Sequence, residues 1–142
     1  MTQPVIISVE GTQKFIGCEK QTVCVVTDGT MRFEGDTIFL SYEESEVTGM
    51  EGTTTTFTIQ GKQVILSRTG TVSSQMVFEE GKKNLTQYNT PYGSLVMGVE
   101  ATKMQFAETE DIIKISVDYA LEINEEHSAD CNIRITVRPK EF

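Results

Sequence analysis

Glutamates gather at two places in the chain. Glu43, Glu44, Glu46 and Glu51 surround one turn signal, and Glu79 and Glu80 close a later segment. Paired carboxylates can hold calcium or magnesium, or divide general acid–base work between them. The first cluster lacks the Asp-x-Asp spacing and terminal bidentate Glu of a dedicated calcium loop, so a solvated acidic rim is expected. On a strand, alternation puts Tyr42, Glu44 and Glu46 on one face and Glu43 and Ser45 on the other. The first of these faces continues Leu40, so one carboxylate is expected to point inward. An unpaired buried charge is too costly to keep ionised, so it would need a cation or several hydrogen bonds. Arg68, continuing the face of Val64 and Leu66, is the candidate partner.

Other chemistry has less support. The single histidine stands in Asn124-Glu125-Glu126-His127-Ser128-Ala129-Asp130, read as a solvent-exposed loop. Close sequence neighbours in a tight turn do not converge as nucleophile, base and orienting group, which come from different elements. There is no Gly-x-Ser-x-Gly elbow and no phosphate-cradling glycine loop. Cys18, Cys24 and Cys131 are odd in number, and Cys18-x5-Cys24 is not zinc-knuckle spacing. They are expected to be small hydrophobes in a reducing compartment. A net charge of -9 and a pI near 4.6 argue against nucleic acid, since Lys82-Lys83 and Arg134-x3-Arg138 are the only basic concentrations. Phe33, Phe39, Phe57, Phe78 and Phe106 sit among apolar neighbours and are expected in a core. No apolar run approaches the ~20 residues of a membrane span, and the first residues lack the pattern of an export signal. The expectation is a cytoplasmic protein that is not an enzyme and needs no metal or cofactor.

The elements that must position these residues follow from composition. The 142 residues suit one domain. They include 13 Val, 12 Ile and 19 Thr against 4 Ala and 5 Leu. Branching at Cβ restricts χ1 in a helix and suits a pleated sheet, so the chain should be nearly all β. Ile113, Ile115, Val117, Tyr119, Leu121 and Ile123 alternate with polar residues, a long strand with one face in a core. Ile133–Val137 repeats the pattern, and Val5, Ile7 and Val9 do so less strictly. Gly52, Gly61, Gly70, Gly81 and Gly93 fall at the spacing of antiparallel hairpins. They bound predicted strands Thr53–Gln60, Lys62–Thr69, Thr71–Glu80 and Lys82–Thr90. Asp28-Gly29 and Gly35-Asp36 are read as turns around Thr30–Glu34 and Thr37–Glu46. Hairpin-length connections and long strands point to an all-β, single antiparallel up-and-down β-barrel of about eight to ten strands, a size that fills itself or holds one small ligand.

Three phrases carry a family resemblance. Tyr42-Glu43-Glu44-Ser45-Glu46 precedes Thr48-Gly49-Met50-Glu51-Gly52-Thr53. Ser73-Ser74-Gln75-Met76-Val77-Phe78-Glu79-Glu80-Gly81 follows, and then Thr90-Pro91-Tyr92-Gly93 leading to Met97-Gly98. Together they resemble the bacterial YwiB-like domain-of-unknown-function family, and the likeness runs over nearly the whole chain. The resemblance implies a calycin-like barrel related in shape to lipocalins, cytosolic and mostly from Gram-positive lineages, with no established activity to transfer. The Gly-x-Trp that opens many lipocalin barrels is missing, for the chain has no tryptophan. Ligands of those relatives therefore do not carry over.

What is left is the interior. Phe57 and Ile59 share a face with Thr53 and Thr55, while Met76 and Phe78 share one with Ser74. Such faces suit a cavity for a small apolar or amphiphilic molecule, with Tyr88 and Tyr92 near its mouth. Glu44, Glu46 and Arg68 complete the predicted ligand-binding set. The competing expectation is a filled core in a structural or protein-interaction module that acts through its surface or as a homodimer. The Thr53-Thr54-Thr55-Thr56 run is expected to pair across strands.

Overall fold

In a computed structural model, residues 2–45, 51–70, 73–90 and 93–140 are described, the last four of the third stretch by backbone alone. Ten strands make up the fold: β1 (Thr2–Phe15), β2 (Gln21–Glu34), β3 (Thr37–Glu43), β4 (Thr53–Gln60) and β5 (Gln63–Gly70), then β6 (Ser74–Glu79), β7 (Lys83–Thr90), β8 (Gly93–Glu108), β9 (Ile113–Ile123) and β10 (Glu126–Pro139). They form one sheet in the order β6-β5-β4-β3-β2-β1-β10-β9-β8-β7. Every neighbour in that order is adjacent in sequence except β1 and β10, which ladder from Val5↔Pro139 to Phe15↔Ala129. The two chain-terminal strands thus lie side by side, and the sheet curls into a nearly closed, up-and-down antiparallel barrel.

The gap between β6 and β7 has no ladder and is bridged by isolated contacts, most of them to β8. Glu80 bridges to Ala101, and Gly81 N donates to Ala101 O at 2.9 Å. Asn84 Nδ2 reaches Val77 O at 3.3 Å, and Met104 N donates to Glu80 Oε1 at 3.2 Å. Lys82 and Lys83 guard this seam with exposed charge, a usual protection of unpaired strand edges.

Two sequence expectations need correction. Asp28-Gly29 is not a turn: β2 runs straight through it, with Gly29 opposite Val5. A Cβ on Gly29 would lie 2.4 Å from Ile7 Cδ1 and 2.6 Å from Ser41 O, so the residue is small to let a core side chain and β3 approach. The phenylalanines also divide. Phe57 and Phe78 are buried, but Phe33 and Phe106 are 45% and 44% exposed, and Phe39 is half-buried beneath the Arg32 guanidinium, 4.4 Å from its ring.

The hairpin turns show smaller shifts. β9 and β10 are joined through Asn124 and Glu125, whose φ of 51° and 72° match the two-residue turn that fits strand twist. The expected loop around His127 is consequently the start of β10, where His127 Nε2 lies 3.3 Å from Asp130 Oδ1. β5 and β7 each begin one residue later than predicted. Thr71 and Val72, from the predicted Thr71–Glu80 strand, lie outside the described residues.

Candidate functional site: the upper interior of the barrel

Inward-facing residues form rows across the sheet, because side chains alternate and cross-strand partners lie level with one another. The lowest row on one wall is Ile38, Ile59, Val64 and Phe78, and the next is Leu40, Phe57, Leu66 and Met76. Above them the chemistry changes to Tyr42, Thr55, Arg68 and Ser74. A like change occurs along the opposite wall. Val23, Gly11, Ile133 and Val117 stand level, and the row above is Gln21, Gln13, Cys131 and Tyr119. An apolar floor therefore carries a polar girdle, at the end of the barrel where β1 turns into β2.

At this end is a cavity of about 320 Å³ that opens to solvent past the exposed Gln13, Gln21 and Val23. It is bordered further in by Val9, Gly11, Val25, Leu66, Met76 and Ile133 and by Tyr42, Glu44, Arg68 and Tyr119. Gly11 helps to open it: a Cβ there would meet nothing within 4 Å. The volume is at the small end of the range for ligand sites.

The girdle is hydrogen-bonded on one side. Glu44 is buried, its backbone N donates to Thr53 O at 2.8 Å, and its Oε1 accepts from Thr55 Oγ1 at 2.7 Å. Burial, followed by the neighbouring Glu44 carboxylate and a hydrogen bond to it, pushes the Tyr42 phenol far above its ordinary value. Burial does the same to Tyr119, reinforced by Cys131, to which Tyr119 is hydrogen-bonded. Both phenols keep their protons. Their rings are anchored in the floor, Tyr42 stacking on Phe57 at 6.4 Å and Tyr119 tilted against Phe78 at 4.8 Å between centroids. Burial raises the Cys131 thiol as well. Arg68 differs from all of these, for its Nε is buried without a hydrogen-bond partner among the described residues.

Several of the predicted residues meet here. Glu44, Arg68 and Met76 border the cavity, and Thr55 holds the Glu44 carboxylate. Glu44 and Arg68 share this wall as expected, but the hydrogen bond seen at Glu44 Oε1 comes from Thr55. Thr53 is buried near the rim, Phe57 and Phe78 belong to the floor, and Ser74 stands level with Arg68. Tyr88 is described by its backbone alone in β7, and Glu46 and Tyr92 lie outside the described residues. The threonine run pairs across strands on its outward side, where Thr56 Oγ1 meets Ser41 Oγ at 3.0 Å and Thr54 Oγ1 donates to Glu43 Oε1 at 2.8 Å. Glu43 and Glu44 consequently point to opposite sides of the wall. Among the described residues no three His, Cys, Asp or Glu side chains gather as a metal site.

Sequence reasoning missed Tyr119, Gln13 and Gly11, and it placed Tyr42 on the inward face without counting it in the site. Tyr119 was hidden in an apolar alternation that reads as core. Gly11 had a signal: a glycine on the inward face of a strand marks either a close approach or a gap.

A nearly closed ten-stranded up-and-down antiparallel barrel, packed below and hollow above, is the class that this architecture defines. The chain belongs to the family described as Domain of unknown function (DUF1934), whose model matches residues 7–135. Its structure is similar to the crystal structure of ywiB protein from Bacillus subtilis, with a TM-score of 0.82 and 19% sequence identity over 99% of this chain and 94% of that one. At that identity the likeness concerns the fold. No curated protein matches the chain.

Proposed function

We propose that this protein is a non-enzymatic, cytoplasmic binding protein that takes a small apolar or amphiphilic molecule into the upper half of its barrel. The observation that carries this reading is the cavity of about 320 Å³ with an apolar floor and a polar girdle. Apolar walls supply affinity by excluding water, and a few fixed polar groups orient the occupant. The free thiols of Cys18, Cys24 and Cys131 support a reducing compartment. Native mass spectrometry of protein purified from its own host, followed by solvent extraction, tests the reading. A bound small molecule is expected on the wild type and absent from Gly11→Leu, which fills the cavity. An unliganded wild type, together with no binding of added amphiphiles, overturns it.

A second reading, a protein-interaction module or homodimer, is supported by large apolar side chains on the surface, among them Ile16, Val26 and Leu85. Light scattering separates the two readings, since a dimer mass without any small molecule favours this one.

A further inference from the structure

Arg68 is held in the girdle between Thr55 and Ser74, its cross-strand neighbours. A guanidinium stays charged throughout the pH range of a folded protein and presents five donors in a rigid fork. A buried donor without an acceptor is costly, and native interiors rarely leave one so. Arg68 Nε is nonetheless buried with no acceptor among the described residues, and none of the ion pairs among those residues includes Arg68.

The other polar groups restrict what could satisfy it. Tyr42 and Tyr119 retain their protons, so toward an occupant they present hydroxyls rather than phenolates. The Glu44 carboxylate borders the same cavity and disfavours a doubly charged group such as a phosphate. Below Arg68, Leu66 and Met76 offer only apolar surface. A volume of about 320 Å³ holds about ten water-sized groups at ~30 Å³ each.

Resting on the binding function proposed above, we infer that the occupant is a short aliphatic or aromatic monocarboxylate whose carboxylate pairs with Arg68 and whose tail lies on the apolar floor. The fork of the guanidinium receives the two carboxylate oxygens, a geometry in which arginine exceeds lysine. The tail displaces water from Val9, Val25, Leu66, Met76 and Ile133.

Octanoate and octan-1-ol, which share a tail and differ in the head, provide the test by calorimetric titration or amide shift mapping. Octanoate is expected to bind the wild type about tenfold or more tighter than the alcohol, the contribution of a charge-assisted pair. Arg68→Met should abolish that preference, lowering octanoate affinity at least tenfold relative to octan-1-ol, and Arg68→Lys should retain part of it. Should Arg68→Met fail to fold, Arg68→Lys carries the comparison through a reduced ratio of octanoate to octan-1-ol affinity. Equal binding of the two probes to the wild type, or a preference that survives at Arg68→Met, overturns the carboxylate inference and leaves the binding function standing. If neither probe binds the wild type, or both bind Gly11→Leu undiminished, the binding function falls and the inference with it.

Discussion

The lower and upper halves of the barrel are made by the same strands, yet they treat the inward position differently. Below, Val5, Ile7, Leu40, Val64, Phe78 and Ile135 are buried against one another, and even the space beside Gly29 is occupied by its neighbours. Above, the rows carry hydroxyls, amides, an arginine and a glycine, and a cavity remains. Stability resides in the half where apolar side chains interdigitate. Open space remains in the half where polar side chains are too few or too well occupied to fill it.

The contrast between halves can be broken by substitution. Phe57→Ala removes a fully buried ring under Tyr42 and should cost about 3–5 kcal/mol in denaturant unfolding. A loss below about 1 kcal/mol would show that the floor is not the packed half. The two inward glycines sharpen the comparison. Gly29→Ala drives a Cβ into Ile7 and the Ser41 carbonyl and should destabilise by about 1–3 kcal/mol. Gly11→Ala enters open space and is expected to be neutral or to stabilise by up to about 1 kcal/mol through the unfolded chain. Equal effects at the two positions would erase the distinction.

Alkaline pH addresses the girdle. Burial raises the phenols of Tyr42 and Tyr119, so between pH 10 and their folded values the native state holds protons that the unfolded chain has released. Their contribution is complete below pH 10 and declines as pH rises, by up to about 1.4 kcal/mol per pH unit for each tyrosine. Unfolding curves at stepped pH should show that decline, and Tyr42→Phe with Tyr119→Phe should flatten it. The smallest effect is expected at the seam, where Asn84→Ala removes the hydrogen bond to Val77 O and should cost about 1 kcal/mol, read by the same unfolding measurement.

Legibility in the sequence followed the range of the interaction concerned. Alternation over Ile113–Ile123 and glycines at hairpin spacing are local, and β4, β7 and β9 appear close to where those signals place them. Gly29 misled because a glycine at a turn and a glycine under a crossing side chain look the same in one dimension. Phe33 and Phe106 misled because apolar neighbours in sequence do not reveal which face a strand turns inward. For the site, the inward course of Leu40, Tyr42 and Glu44 could be read directly, whereas Tyr119 and Gln13 could not.

By itself the sequence determined that the chain is β throughout, that its strands meander, and which residues along each strand share a face. These properties depend on Cβ branching, turn geometry and a period of two, all contained within a few neighbouring residues. Only the tertiary structure decided which rows stand level along the wall, that the first and last strands, β1 and β10, pair in the middle of the sheet, and that space is left beneath Arg68. Register and closure are set by pairings between residues as distant as Val5 and Pro139, and whether an interior fills is a matter of summed volumes from strands that meet only in the folded barrel.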